Sequence, residues 1–212
     1  MAKSSSVLIK RYTASDRFNH WFVAITFILL ALSGLALFHP AFFFLTHLLG
    51  GGTWTRILHP FIGVVMFAGF AGMMLRFWKL NYITDNDRKW MKQIVDVLAN
   101  RHEKLLPVGH YNAGQKYLFW TMVVCIPLLL ITGVLMWQPY FAPLVPIVVA
   151  RLAVLLHAVA AFVIIAGIIV HIYAGTMWVK GSMRAMTRGT VTHAWAKHHH
   201  AAWCDEVSKR DK

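Results

Sequence analysis

Four stretches of this chain are predominantly apolar and contain no Asp, Glu, Lys or Arg: residues 18–38, 57–75, 117–137 and 152–179. Each has at least 19 residues, and a helix needs about 20 to cross the hydrocarbon layer of a bilayer. In lipid the backbone has no water to bond to, so runs of this kind must be helices. They predict an all-α integral membrane protein, a four-helix bundle. Charged residues make up only 14% of the chain, against about 25% in soluble domains. The first run lacks a small-residue cleavage site and reads as a span, not a signal peptide. The fourth, at 28 residues, predicts tilt or protrusion. Pro127 predicts a kink in the third span. Pro60 falls in the first turn of the second as drawn, where a missing N–H costs least. A single domain over 1–212 is expected, with a polar tail over 181–212 and a short surface helix within 85–105. Segments 39–53 and 139–150 are expected at the outer interface. Cys125 and Cys204 are expected to be unpaired.

Orientation follows from Lys and Arg. Nineteen of the 21 lie before the first run, between the second and third, or after the fourth; only Arg56 and Arg151 lie on the other side. The positive-inside bias therefore places both termini and the long middle loop in the cytoplasm. The net charge of +13 reflects this topology and implies no nucleic-acid partner.

Ionisable residues inside a span are costly and point to function. Four histidines lie there: His20, His59, His157 and His171. His20 is the third residue of an outward-running span and His59 the third of an inward-running one. His157 comes early and His171 late in the last span. The expected result is an inner pair, His20 with His171, and an outer pair, His59 with His157. The 14 residues between His157 and His171 place them on nearly one helix face, about 21 Å apart, too far for one metal ion. Two imidazoles per layer suit an iron porphyrin, whose ring supplies the equatorial nitrogens. Two bis-histidine b-type haems are the natural reading, the four histidines being the axial iron ligands. No C-x-x-C-H is present for covalent attachment. The competing reading is hydrogen bonding of the histidines between helices. Ser33-Gly34, Gly63, Gly69, Gly72, Thr132-Gly133 and Gly167 would let a flat ring approach the backbone, or would serve ordinary small-residue packing. His39, His47, His102, His110, His193 and His198–His200 lie outside the spans and are expected to be solvated or interfacial. Arg56 and Arg151 precede His59 and His157 by three and six residues. They are candidates to neutralise the outer haem's propionates, or plain interfacial anchors.

Several segments resemble one family. HW at 20–21, RILHPFIGVVMF at 56–67, YNAGQK at 111–116, WQPYFAP at 137–143, LLHAVAAFVIIAGIIVHIYAGTMWVKGS at 155–182 and WAKHHHAAW at 195–203 are similar to the gamma, cytochrome b, subunit of membrane-bound respiratory formate dehydrogenase. The resemblance spans roughly residues 10–205. It departs at Gln138, where the family carries Arg, and at AAW near the end, where it carries a Pro-Arg-Trp step. It implies a bacterial inner-membrane protein with the outer haem on His59 and His157 and the inner on His20 and His171. It also implies a quinone site beside the inner haem, with Asn112 and Gln115 as polar contacts and His171 adjacent. The implied partners are an iron–sulfur beta subunit, which donates electrons, and a molybdenum or tungsten alpha subunit, which oxidises formate. No formate-oxidising or other catalytic residue is expected in this chain. Without the resemblance, Asn112 and Gln115 equally fit a helix capping box. The histidine pattern alone is also shared by nickel–iron hydrogenase cytochromes b. A histidine-relay transporter is the remaining alternative, disfavoured because no span holds an acidic residue.

Overall fold

The computed structural model describes residues 7–99, 101 and 106–210. In chain order the elements are β1 (Leu8–Lys10), α1 (Ala14–Phe38), a 3₁₀ helix (Pro40–Leu49) and α2 (Gly52–Phe77). Next come α3 (Asp85–Lys92), α4 (Ile94–Leu98), α5 (Ala113–Leu135) and α6 (Ile147–Tyr173). The chain ends with α7 (Met183–Arg188), β2 (Thr190–Thr192), α8 (His193–His199) and α9 (Ala201–Arg210). The chain forms two compact units. One contains Phe18–Leu75 and Thr121–Ile172; the other contains the described parts of 1–17, 76–120 and 173–212.

The first unit holds the apolar parts of α1, α2, α5 and α6. Among the described residues these four helices, with short extensions of α2 and α6, are long and apolar enough to cross a membrane. Their outer faces expose Ile25, Val65, Val124, Ile131, Leu155 and Ile169, as helices solvated by lipid do. The interior is a thin core of Val23, Met66, Phe70, Ile126, Ala160 and Ile164. At Gly69 a Cβ would stand 2.8 Å from the Phe22 ring. Only glycine lets α1 and α2 meet there, and Asn19 Nδ2 seals the contact by donating to the Gly69 carbonyl at 3.1 Å.

The helices outrun the apolar runs. Gly50 and Gly51, with φ of 86° and 101°, turn the chain so that α2 starts at Gly52, and Thr55 Oγ1 donates back to the Gly51 carbonyl at 2.9 Å. Pro60 is consequently well inside α2, not in its first turn as the sequence suggested. α5 begins at Ala113 and runs through Pro127. α6 begins immediately after Pro146, so Arg151 lies inside it, and a π-helical turn, Ala174–Trp178, follows its end. The region 85–105 forms two short helices broken at Gln93; residues 100 and 102–105, His102 among them, lie outside the described residues.

In the second unit the polar tail is a folded element. β2 pairs antiparallel with β1, Ile9 opposite Val191, and Ala185, Val191, Ala196, Trp203 and Cys204 form a small core with Ile9 and Tyr12 against it. Gly189, at φ 75°, passes so close to the Tyr12 carbonyl that a Cβ would stand 2.7 Å from it. Buried Arg11 donates to the His110 carbonyl at 2.6 Å and lies over the Trp203 ring at 4.6 Å. Cys125 and Cys204 are both buried free thiols.

His200, expected to be solvated, is only 3% exposed, because α8 and α9 fold it under Arg11. Its Nδ1–H donates to the Gly109 carbonyl at 2.8 Å, and its Nε2 faces Arg11 Nη2 at 3.4 Å. Both contacts use the neutral ring. Burial, aided by the Arg11 charge, pushes its pKa down to about 3; burial and Arg11 likewise push His110, half-buried, down to about 4. His39, His47 and His198 are exposed, while His193 and His199 are half-buried. A histidine with a depressed folded pKa binds its proton more readily when unfolded, so it stabilises fully above its unfolded pKa and loses that contribution as pH falls. The thermal midpoint of this unit, followed in detergent by the Trp195 and Trp203 near-ultraviolet signal, should therefore drop as pH is lowered from about 7 towards 5. His200→Gln should flatten that slope, and a wild-type midpoint independent of pH over this range would contradict the assignment.

Candidate functional site

The four intramembrane histidines all lie in the first unit. α1 carries His20, α2 carries His59, and α6 carries both His157 and His171. The rings of His59 and His157 have centroids 6.5 Å apart and planes at 58°. Those of His20 and His171 are 6.3 Å apart at 52°. The structure thus brings the histidines together in the two pairs expected from depth.

The separations exclude direct ring-to-ring hydrogen bonding within either pair, while His59 and His157 do hydrogen-bond to hydroxyls of neighbouring helices. Two imidazoles hydrogen-bonded to each other, with nitrogens about 2.9 Å apart, would have centroids about 5 Å apart. Two imidazoles ligating one metal centre, with nitrogen bonds of about 2 Å on opposite sides, would have centroids about 6.2 Å apart. Both pairs have the second spacing. Among the described residues no group of three or more His, Cys, Asp or Glu is assembled to hold a bare metal ion. Two imidazoles alone fit a group that brings its own equatorial donors.

The surroundings of the outer pair are built from α1 and α5. Ser33 Oγ lies 2.8 Å from His59 Nδ1, and Thr132 Oγ1 lies 2.9 Å from His157 Nδ1. The following residues, Gly34 and Gly133, face the same two rings: a Cβ on either would stand 3.4 Å from a histidine Cε1. Sequence reasoning read Ser33 and Thr132 only as small residues. The signal that would have found them is the repeated hydroxyl–glycine step near the C-terminal ends of two spans. The other glycines divide differently, with Gly63 and Gly69 packing against Leu30 and Phe22.

Arg56 and Arg151 are exposed and line separate cavities. Arg56 shares one of about 570 Å³ with Ala36, Leu37, His39 and Phe43. Arg151 shares one of about 370 Å³ with Leu135, Gln138, Ala150 and Val154. The 3₁₀ helix beside Arg56 exposes Phe42, Phe43, Phe44 and Leu48, the composition of an interfacial segment.

Asn112 and Gln115 sit at the start of α5, in the second unit, and form the capping box that their spacing allowed. Asn112 Oδ1 accepts from the Gln115 N–H at 2.9 Å, and Gln115 Oε1 accepts from the Asn112 N–H at 3.0 Å. Both side chains are thereby held by their oxygens. Among the described residues no hydrogen bond engages either amino group. One residue further on, Lys116 Nζ donates to Asp87 Oδ2 at 2.7 Å and to the Tyr82 carbonyl at 3.1 Å. Burial alone would raise the Asp87 pKa, but Lys116 and the Thr84 hydrogen bonds hold it below the usual carboxylate range, so the pair is ionised and pins this end of α5.

Residues 11–189 match the family model of prokaryotic cytochrome b561. The formate dehydrogenase cytochrome b556(fdo) subunit of Escherichia coli is 49% identical over 201 residues, covering 95% of this chain and 94% of that protein. The nitrate-inducible formate dehydrogenase cytochrome b556(Fdn) subunit of Escherichia coli is 42% identical over 208 residues, covering 98% and 95%. The formate dehydrogenase cytochrome b556 subunit of Haemophilus influenzae is 41% identical over 203 residues, covering 96% and 85%. With four membrane-crossing helices and these relatives, the protein is a multi-pass protein of the bacterial inner membrane. It belongs to the prokaryotic cytochrome b561 family, as a membrane cytochrome b of the formate dehydrogenase b556 type.

Proposed function

We propose that this chain is the dihaem membrane anchor of a formate dehydrogenase complex, conducting electrons from an iron–sulfur subunit to quinone. His59 and His157 would hold an outer b-type haem, and His20 and His171 an inner one. The observation that carries this reading is the spacing of the two histidine pairs, 6.5 and 6.3 Å between centroids. When bound, the haems supply one-electron oxidation and reduction in two layers of the membrane. The partners are the iron–sulfur subunit and a molybdenum or tungsten subunit, which oxidises formate. Both termini face the cytoplasm, a placement supported by the 19 of 21 basic residues that share one side of the spans.

Asn112 and Gln115 bind the quinone. Capping and binding use different atoms: the two amide oxygens hold the helix start, and the amino groups donate to a quinone carbonyl. On the cytoplasmic side the reduced quinone takes its protons from the cytoplasm. An electron that has crossed from the outer face then stores about 2.3 kcal/mol per 100 mV of membrane potential. Arg56 and Arg151 neutralise the propionates of the outer haem from their two cavities.

Three outcomes test this. The purified protein should carry two b-type haems by pyridine haemochrome assay; His59→Ala or His157→Ala should lose one, and His20→Ala or His171→Ala the other. A His59→Ala protein that keeps both would refute the ligand assignment. Removing a positive charge favours the ferric state, so Arg56→Gln should lower the outer midpoint potential and leave the inner unmoved; an unchanged redox titration removes Arg56 from the site. Finally, Asn112→Asp combined with Gln115→Glu keeps every capping acceptor and removes both amino donors. Reoxidation of the haems by quinone should slow roughly tenfold or more, as expected for two lost hydrogen bonds, with both haems still bound. Reoxidation at the normal rate would place the quinone elsewhere.

A further inference from the structure

We propose that Ser33 and Thr132 are positioning residues for the outer haem, each hydroxyl fixing one axial histidine as an Nε2 ligand and lowering that haem's potential. The proposal rests on the assignment of His59 and His157 as axial ligands.

Each hydroxyl has one proton, and both spend it on their own helix. Ser33 Oγ donates to the Leu30 carbonyl at 3.2 Å, and Thr132 Oγ1 donates to the Leu128 carbonyl at 2.6 Å. With the hydroxyl protons so placed, the contacts of 2.8 and 2.9 Å to His59 Nδ1 and His157 Nδ1 run from ring to hydroxyl, the Leu129 backbone being a second partner of His157. Nδ1 carries the proton in both rings, and Nε2 is left with the lone pair a metal needs. A hydrogen bond from the far nitrogen makes an imidazole a stronger donor to its metal and holds the ring's rotation. Stronger donation stabilises the ferric state and lowers the potential. Gly34 and Gly133 complete the arrangement, since each lies under the Cε1 edge of the ring its neighbour holds.

The device is not repeated throughout the inner pair. Among the described residues the buried His20 Nδ1 has no hydrogen-bond partner, so that ligand lacks the extra donation. Two pairs of the same residue type are thus given unequal electronic surroundings. The sign suits an electron moving inward against the membrane potential, because a lower outer potential makes the step to the inner haem downhill.

The test uses the complex purified from membranes, with Ser33→Ala, Thr132→Val and their combination. Ser33→Thr and Thr132→Ser keep the hydroxyl. Haem is counted by pyridine haemochrome, midpoints are read by optical redox titration, and axial ligation is read from low-spin ferric electron paramagnetic resonance. With two haems retained, removing either hydroxyl should shift the outer haem's reduction equilibrium roughly tenfold towards the ferrous form, about 59 mV for a one-electron couple. Its resonance should move, while the inner haem stays unchanged, and the hydroxyl-keeping variants should restore the wild-type values. An unmoved outer midpoint in the double variant overturns the proposal. Should Ser33→Ala lose the outer haem, Ser33→Thr decides: a normal outer potential supports the role, and loss there too overturns it. A wild-type preparation without two bis-histidine haems would instead sink the ligand assignment itself.

Discussion

Inside a bilayer a spanning backbone can hydrogen-bond only to itself, and the rest of this structure depends on that constraint. It forces α1, α2, α5 and α6 into uninterrupted helices and strips their interiors of charge, leaving Ile, Leu, Val and Phe facing outward. A polar group that remains inside is costly unless another holds it. Asn19 is held by the Gly69 carbonyl, His59 by Ser33 and His157 by Thr132. The interior polarity is therefore small in amount and located where the proposed haem ligands stand.

The same physics accounts for the contrast between the two units. In the first, side chains pack through small residues and a thin apolar core, and the two histidine pairs are carried by three of the long apolar helices. In the second, water is available, and stability comes from groups the membrane would not tolerate. These include Arg11 over Trp203, the ionised Lys116–Asp87 pair and three N-terminal caps of the same kind. Thr13 with Asp16, Thr84 with Asp87 and Asn112 with Gln115 each satisfy two orphan N–H groups reciprocally at a helix start. The proposed quinone contacts are one of these caps, so local helix chemistry and ligand recognition are met by different atoms of the same side chains.

Membrane character, the number of spans and the four intramembrane histidines were legible in the sequence because each depends on composition along a single segment. The pairing of the histidines was legible too, since chain direction converts position in a span into depth. The resemblance carried by YNAGQK and the long histidine-bearing segment at 155–182 pointed to the family that the relatives share. Helix ends were misread where the backbone continued past the apolar run: α2 takes in Arg56 and buries Pro60 in its interior, because glycine turns and proline starts, not hydropathy, decide where a helix begins.

By itself the sequence determined that this is a four-span membrane protein with two layers of histidine, since hydrophobic length, charge bias and periodicity act locally along the chain. Only the tertiary structure decided which hydroxyls meet which rings, that His200 lies buried beneath Arg11, and that the tail pairs with the N-terminal strand. Those outcomes join residues 25 or 26, 189 and at least 180 positions apart. Which side chains meet across such separations is set by the packing of whole helices, and no local pattern records it.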